Sequence, residues 1–377
     1  QDRRIRASRQ HDRIGAHHMV VLLKHQGFVG DRRRGEEGQQ RLAVVAGLGN
    51  GSKGEPLPLR QVARPLVAVT LNAHNKKLLG CNGGATVKLD FVVGTGRSGS
   101  SLVHELLASH EDVGFISNLD DGIPSLRLKG RFNNSLFALT KGSWTRKGAA
   151  RFAPSEAFKL ISSEVSPIYE NSCRDLLATD VSPWLCEQFR SFFEARWRAQ
   201  RRPFFLHKYT GWPRIGFFAE IFPESRFVHI VRDGRAVANS WLQMNWWTGY
   251  RGPQHWSWGP LAGDLQGEWE SSGQSFVTLA GIAWRILMES FERAIGSLPA
   301  DRYHEIRYED FVAKPEHSLR SIADFIGLHW SARLSRAVAR VRFDESRKKT
   351  FERDLTATQV EQVERCIGPL LSRYGYQ

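Results

Sequence analysis

A chain of 377 residues, 41% hydrophobic and 11% aromatic, carries enough apolar material for a sizeable core, which excludes a wholly disordered or fibrous protein. Its formal charge of +14 has the look of a nucleic-acid footprint, but residues 1–84 hold 15 Lys/Arg against 6 Asp/Glu, and no zinc-finger or RNA-recognition signature accompanies them. No apolar run approaches the ~20 residues of a membrane span and no secretory cleavage pattern is present, so a cytoplasmic protein that binds no nucleic acid is expected.

Residues 1–84 are rich in Arg, Gly, Gln and His without a sustained period, the composition of a basic, disordered extension. They read either as a targeting arm or as a plain leader, and their removal is expected to leave folding intact. One domain, 85–377, follows. From about Val87, short apolar runs alternate with amphipathic stretches, which predicts β-α units around a parallel sheet. The first strand, Leu89–Val93, runs into Gly94-Thr95-Gly96-Arg97-Ser98-Gly99-Ser100-Ser101 and then a helix with Leu102, Val103, Leu106 and Leu107 on one side. His104 and Glu105 on that helix read as a solvated face. The glycine spacing is that of a phosphate loop, yet Ser100 stands where a nucleotide-triphosphate loop has Lys, and the cation, Arg97, lies inside the loop. Such a loop closes backbone N–H groups and a helix N-terminus on an anion but is poorly equipped for ATP hydrolysis.

Further strands are predicted at Pro203–Leu206, Arg226–Val231 and Tyr303–Arg307, with a short helix over Ile215–Phe222 closed by Pro223. Directly after Val231, Asp233 is placed to cap a helix along which Arg232 and Ser240 stand about two turns apart, in reach of a second phosphate. Six of twelve tryptophans, Trp241, Trp246, Trp247, Trp256, Trp258 and Trp269, fall in an insert of about 241–275. They read as a satellite core or as an aromatic wall for an acceptor. A core helix over 279–297, a basic run Arg347-Lys348-Lys349 and a capping box at Thr356–Gln359 complete the order. Cys81, Cys173, Cys186 and Cys366 lack metal-site or redox spacing and are expected as reduced thiols, although Cys173 and Cys186 could bridge in an oxidising compartment.

Two phosphate sites at the carboxyl ends of two parallel strands describe a nucleotide phosphorylated at both its 5′ and 3′ positions. At these residues, over about 88–377, the chain resembles the sulfotransferases that use 3′-phosphoadenosine 5′-phosphosulfate (PAPS), in particular the bacterial-type branch, with Gly234 where relatives usually carry Pro. The resemblance implies an α/β, P-loop-like three-layer fold with a central parallel β-sheet flanked by helices. It further implies that Gly96, Arg97, Ser98, Gly99, Ser100 and Ser101 hold the 5′-phosphosulfate, and Arg232 and Ser240 the 3′-phosphate. Arg347, Lys348 and Lys349 stand where a basic segment of relatives closes over the nucleotide.

In-line sulfuryl transfer to a hydroxyl or amine asks for positioning and for stabilisation of the leaving charge, here by Arg97, with no metal expected and the bisphosphate PAP as product. The acceptor, a small molecule, glycan or lipid, also needs a general base. In the tyrosine-protein branch a Glu follows the loop and its helix; the matching position here is Asn118, which makes the adjacent Asp120 and Asp121 the first candidates. His207 is the second, with Lys208 as a contact to the transferring group. Two other readings stay open: a small-molecule kinase, and a non-catalytic binder of nucleotides or sulfated glycans.

Overall fold

The computed structural model describes residues 87–125, 128–140 and 152–376. The N-terminal extension assigned to 1–84, and Cys81 with it, lies outside these residues.

Five strands form one all-parallel sheet: β1 (Leu89–Gly94), β2 (Val113–Gly114), β3 (Phe204–Thr210), β4 (Phe227–Val231) and β5 (Tyr303–Arg307), in spatial order β2-β3-β1-β4-β5. A parallel sheet is covered on both faces, which is why β1 and β4 are buried at every position and read as continuous apolar runs. Side chains nevertheless alternate. Phe91 and Val93 enter a core with Phe193, Phe218 and Phe227, beneath helices Pro183–Gln200 and Ile215–Ile221. Val92 points the other way, to Val103, Leu107, Val228, Phe311 and Leu319, beneath helices Ser100–Leu107, Pro315–Ile326 and Ala332–Arg340. These are the three layers expected.

A third cluster joins the tryptophans to helices Gly234–Leu242, Phe276–Ile295 and Ala357–Arg373. The last begins at the anticipated capping box: the Thr356 hydroxyl accepts from the Gln359 N–H, and the Gln359 side chain accepts from the Thr356 N–H. Cys173 and Cys366 are free thiols.

The order places β1 at the switch point, with β3 on one side and β4 on the other. The ends of these strands meet: Gly94 pairs with Thr210 in register, and the Gly211 N–H donates to the Gly94 carbonyl at 3.1 Å. In open α/β sheets ligands gather at that place. β3 runs four residues beyond its predicted end, through His207, Lys208, Tyr209 and Thr210, because pairing with Phe91–Gly94 of β1 and burial outweigh the polarity of those side chains.

Candidate active site

A cleft of about 990 Å³ opens at the carboxyl ends of β1, β3 and β4. Its floor is the loop after β1. Gly96, Arg97 and Gly99 adopt φ of 82°, 58° and 95°, in the left-handed region. Gly99 is required twice: by its φ, and because a β-carbon there would stand 2.3 Å from Cδ2 of Tyr308. Arg97, a non-glycine residue in the same region, carries backbone strain of the kind found at functional sites.

The second motif meets the first in space. Arg97 Nε donates to Ser240 Oγ at 2.9 Å, and Arg232 Nη1 donates to the Arg97 carbonyl at 2.9 Å. Asp233 caps the helix Gly234–Leu242 as the sequence predicts, accepting from the Arg235 N–H. The Arg232 guanidinium lies over the Tyr308 ring, 4.6 Å from its centroid, and Nη2 donates to the Arg347 carbonyl. Burial pushes this guanidinium below its ordinary value, and Arg97 adds to the push. A half-buried cation whose hydrogen bonds go to carbonyls and whose face meets a ring, with Glu309 and Asp233 only nearby, is ready for an anion. Two buried polar atoms lack partners here, Arg232 Nε and Ser98 Oγ, one at each motif. Unsatisfied groups of this kind fit a doubly phosphorylated ligand.

Thr95, Gly96, Arg97, Gly99, Ser100, Ser101, Arg232 and Arg347 line the cleft, while Lys348 and Lys349 do not and pair with Glu345 and Glu352. Ser240 is joined to the lining through Arg97, and Lys208 through Ser101, whose Oγ accepts from Lys208 Nζ at 2.8 Å. Lys208 therefore approaches the loop from the neighbouring strand.

The candidate bases are placed otherwise. Asp120 closes a capping box with Ser117 and also accepts from Asn133 Nδ2 at 2.7 Å. Asp121 accepts from Ser155 Oγ at 3.0 Å and from the Leu160 N–H at 2.9 Å. Neither lines the cleft. His207 is fully buried, 3.1 Å from the Tyr169 hydroxyl, and desolvation pushes it well below the usual imidazole range, with His104 and Lys208 adding. His104, expected on a solvated face, is buried as well and falls to about 3 through desolvation, with Lys208 contributing. Both imidazoles are neutral at pH 7.

Of the four carboxylates that line the cleft, Glu105, Glu156, Glu170 and Asp344, Glu156 is the one that pairs with Lys208 Nζ, and it accepts from Thr210 Oγ1 at 2.9 Å. Its segment is held in place in part by Asp121, one of the residues singled out as bases. The segment 153–157 is pinned by the Ala153 N–H on Asn118 Oδ1, the Ser155 N–H on the Ile116 carbonyl, and Ser155 Oγ on Asp121. Ala157 follows with φ 55°, another strained non-glycine residue. Sequence reasoning passed over Glu156 because it lies in an irregular stretch 54 residues before its partner Thr210. The surviving signal was Pro154-Ser155-Glu156, a turn-like run with one acid.

An aromatic part of the lining is formed by Phe158, Trp212, Trp246 and Trp258. Trp241, Trp247, Trp256 and Trp269 are core, whereas Trp246 is 50% exposed. The insert thus supplies a packed core, while Trp246 and Trp258 reach the cleft lining. Among the described residues, His110, Glu111 and His329 cluster at metal-ligand spacing. Both His110 nitrogens are already engaged, Nδ1 by the Asp112 N–H and Nε2 with the His329 carbonyl.

A family model described as "Sulfotransferase family" matches residues 91–332. The chain is 25% identical over 312 residues to omega-hydroxy-beta-dihydromenaquinone-9 sulfotransferase Stf3 of Mycobacterium bovis, covering 76% of this chain and 74% of that one. It is 24% identical over 253 residues to protein-tyrosine sulfotransferase 1 of Danio rerio, covering 64% of this chain and 54% of the fish protein. Among solved structures, sulfotransferase STF9 from Mycobacterium avium superposes with a TM-score of 0.49 at 13% identity, covering 78% of each chain.

Proposed function

The chain belongs to the sulfotransferase family, and from that premise we propose that it moves a sulfuryl group from PAPS to a hydroxyl on an acceptor with an apolar or aromatic body, leaving PAP. One observation carries the reading: the two phosphate motifs, more than 130 residues apart in sequence, are joined by the Arg97–Ser240 and Arg232–Arg97 hydrogen bonds in a single cleft.

When bound, the donor supplies an activated sulfuryl group on a phosphate leaving group. The protein's part is positioning and electrostatics. Gly96, Arg97, Ser98, Gly99, Ser100 and Ser101 hold the 5′ end, and Arg97 with the loop N–H groups balances charge growing there. Arg232 and Ser240 hold the 3′-phosphate, with Arg347 at the rim. Lys208, beside Ser101 and Glu156, stands between loop and acceptor and steadies negative charge on the group in transit. Glu156, in place of Asp120, Asp121 or His207, receives the acceptor proton. Phe158, Trp212, Trp246 and Trp258 hold the acceptor body, in keeping with the lipid-like quinone named for the mycobacterial relative. Among the described residues no helix is long and apolar enough to cross a membrane.

The test is a thermal-shift titration of the full chain with adenosine 3′,5′-bisphosphate beside AMP and ATP-Mg²⁺. Ligand at about 100 times its Kd adds about 2.7 kcal/mol to the folded state. Selective stabilisation by the bisphosphate is expected, followed by acceptor-dependent release of PAP from PAPS. Stabilisation by ATP-Mg²⁺ alone overturns the reading in favour of a kinase.

A further inference from the structure

Three residues of the cleft lining, Ser172, Trp212 and Arg214, each contain a buried polar atom without a hydrogen-bond partner: Ser172 Oγ, Trp212 Nε1 and Arg214 Nε. Buried donors are almost always paired, so three orphans in one wall call for an oxygen that the protein itself does not provide.

Arg214 is the most demanding of them. It is 3% exposed, and its two hydrogen bonds both leave from Nη1, to the carbonyls of Thr210 at 3.3 Å and Trp212 at 3.0 Å. Among the described residues no carboxylate lies within ion-pair distance of it. Its charge is met instead by ring faces, with the Phe158, Tyr169 and Tyr209 centroids 6.0, 5.2 and 5.8 Å away. The backbone is held in the left-handed region, φ 45°, by a 2.7 Å hydrogen bond from the Arg214 N–H to Asp175 Oδ1. A non-glycine residue fixed in that conformation beneath a cleft is strain the fold retains where position matters.

Its location is beside the proposed base. The Thr210 carbonyl receives Arg214 Nη1 while the Thr210 hydroxyl donates to Glu156, and Tyr169, under the guanidinium, donates through its hydroxyl to the Glu156 carbonyl at 3.3 Å. Two other carboxylates bear on the charge balance of this wall. Glu156 is neutralised by Lys208, and Glu170 accepts from Ser162 Oγ. Asp175 offsets part of the guanidinium charge electrostatically, but among the described residues no carboxylate forms an ion pair with it.

Resting on the sulfotransferase reading of the cleft, we infer that Arg214 and Trp212, with Ser172, form an acceptor-recognition site for a carbonyl or carboxylate oxygen carried close to the hydroxyl that is sulfated. The site selects hydroxy-carbonyl and hydroxy-acid compounds over plain alcohols of the same shape. A polar pocket rejects an analogue lacking its partner atom much more strongly than an apolar pocket rejects a missing methylene.

The experiment uses three benzyl alcohols of near-equal hydroxyl acidity: 4-(hydroxymethyl)benzoate, 4-acetylbenzyl alcohol and 4-ethylbenzyl alcohol. Their binding to the full chain saturated with adenosine 3′,5′-bisphosphate is measured by calorimetry, and their sulfation from PAPS is measured separately. The two oxygen-bearing probes are expected to bind at least about tenfold more tightly than the ethyl compound, carboxylate first. That preference should vanish in Arg214→Met and weaken in Trp212→Phe, which keeps the ring and removes the donor. Arg214→Lys should restore it in part for the carboxylate alone, since a point charge lacks the planar fork. Equal binding of the three probes to the unmodified protein overturns the inference, and that arm does not depend on any variant folding. A preference that survives in both Arg214→Met and Trp212→Phe overturns it too. Preference in binding with no transfer to any probe leaves the site standing and counts against the sulfotransferase reading instead.

Discussion

The two halves of the cleft are built on different principles. The donor half comes from two strand–loop–helix units, each continuous in sequence: β1 with its loop and helix Ser100–Leu107, and β4 with helix Gly234–Leu242. The acceptor half is assembled from pieces with no shared element: Glu156 and Phe158, Ser172, the residues after β3, and the tryptophans near 246 and 258. Recognition of phosphate relies on backbone amides and helix ends, which require a fixed local run of residues. Recognition of an acceptor relies on side chains alone, which any segment can deliver.

The largest effect expected separates the halves chemically. Glu156→Gln should lower kcat by about 10²- to 10⁴-fold while leaving affinity for adenosine 3′,5′-bisphosphate unchanged. If bisphosphate affinity falls in parallel, Glu156 belongs to the donor half and the division fails. Arg97→Ala should reduce kcat by about 10²- to 10³-fold with the fold retained, and near-normal turnover removes Arg97 from charge stabilisation.

Two tryptophans then sharpen the contrast between packing and contact. Trp241 is fully buried, and Trp241→Ala should cost about 3–5 kcal/mol in denaturant unfolding. Trp246, half exposed on the cleft, should change stability by no more than about 0.5 kcal/mol as Trp246→Ala yet raise the acceptor KM. Gly99→Ala should destabilise by about 1–3 kcal/mol through the clash with Tyr308, read as a lowered thermal midpoint.

A pH-dependent effect lies under the donor half. Asp90, 3% exposed in β1, is raised to about 6 by burial, against the hydrogen bond from the Arg226 N–H and nearby Lys88 and Arg226. The folded state holds that proton more tightly than the unfolded chain, so stability falls as pH rises through 6. Asp90→Asn, whose Oδ1 can still accept from Arg226, should gain about 1–2 kcal/mol at pH 8 and nothing below pH 4 in paired unfolding curves.

Legibility in the sequence follows the same division. The strands at β1, β4 and β5, the Asp233 cap and the Thr356 capping box could be read because each signal fits within a dozen residues. β2 could not, since two residues, Val113 and Gly114, are too few to show a period. Nor could Glu156, whose role is set by Lys208 and Thr210 across more than 50 residues. Asp120 and Asp121 had the right side chain in nearly the right stretch, but capping and anchoring took up their oxygens. His207 was misread for a physical reason of the same kind: a strand residue pointing into an aromatic core looks, in sequence, like one pointing out of it.

The Tyr308 ring fills the space above Gly99 and carries the Arg232 guanidinium on its face. In evolutionary terms this is a lock with two keys. A lineage that replaces the glycine first meets the ring, and one that trims the ring first leaves the 3′-phosphate arginine without its support. Either order passes through an impaired intermediate, so the pair can be exchanged only together. The Gly99–Tyr308–Arg232 contact is therefore a coupled unit, whereas among the described residues the aromatic lining on the other side of the cleft has no such coupling between its members.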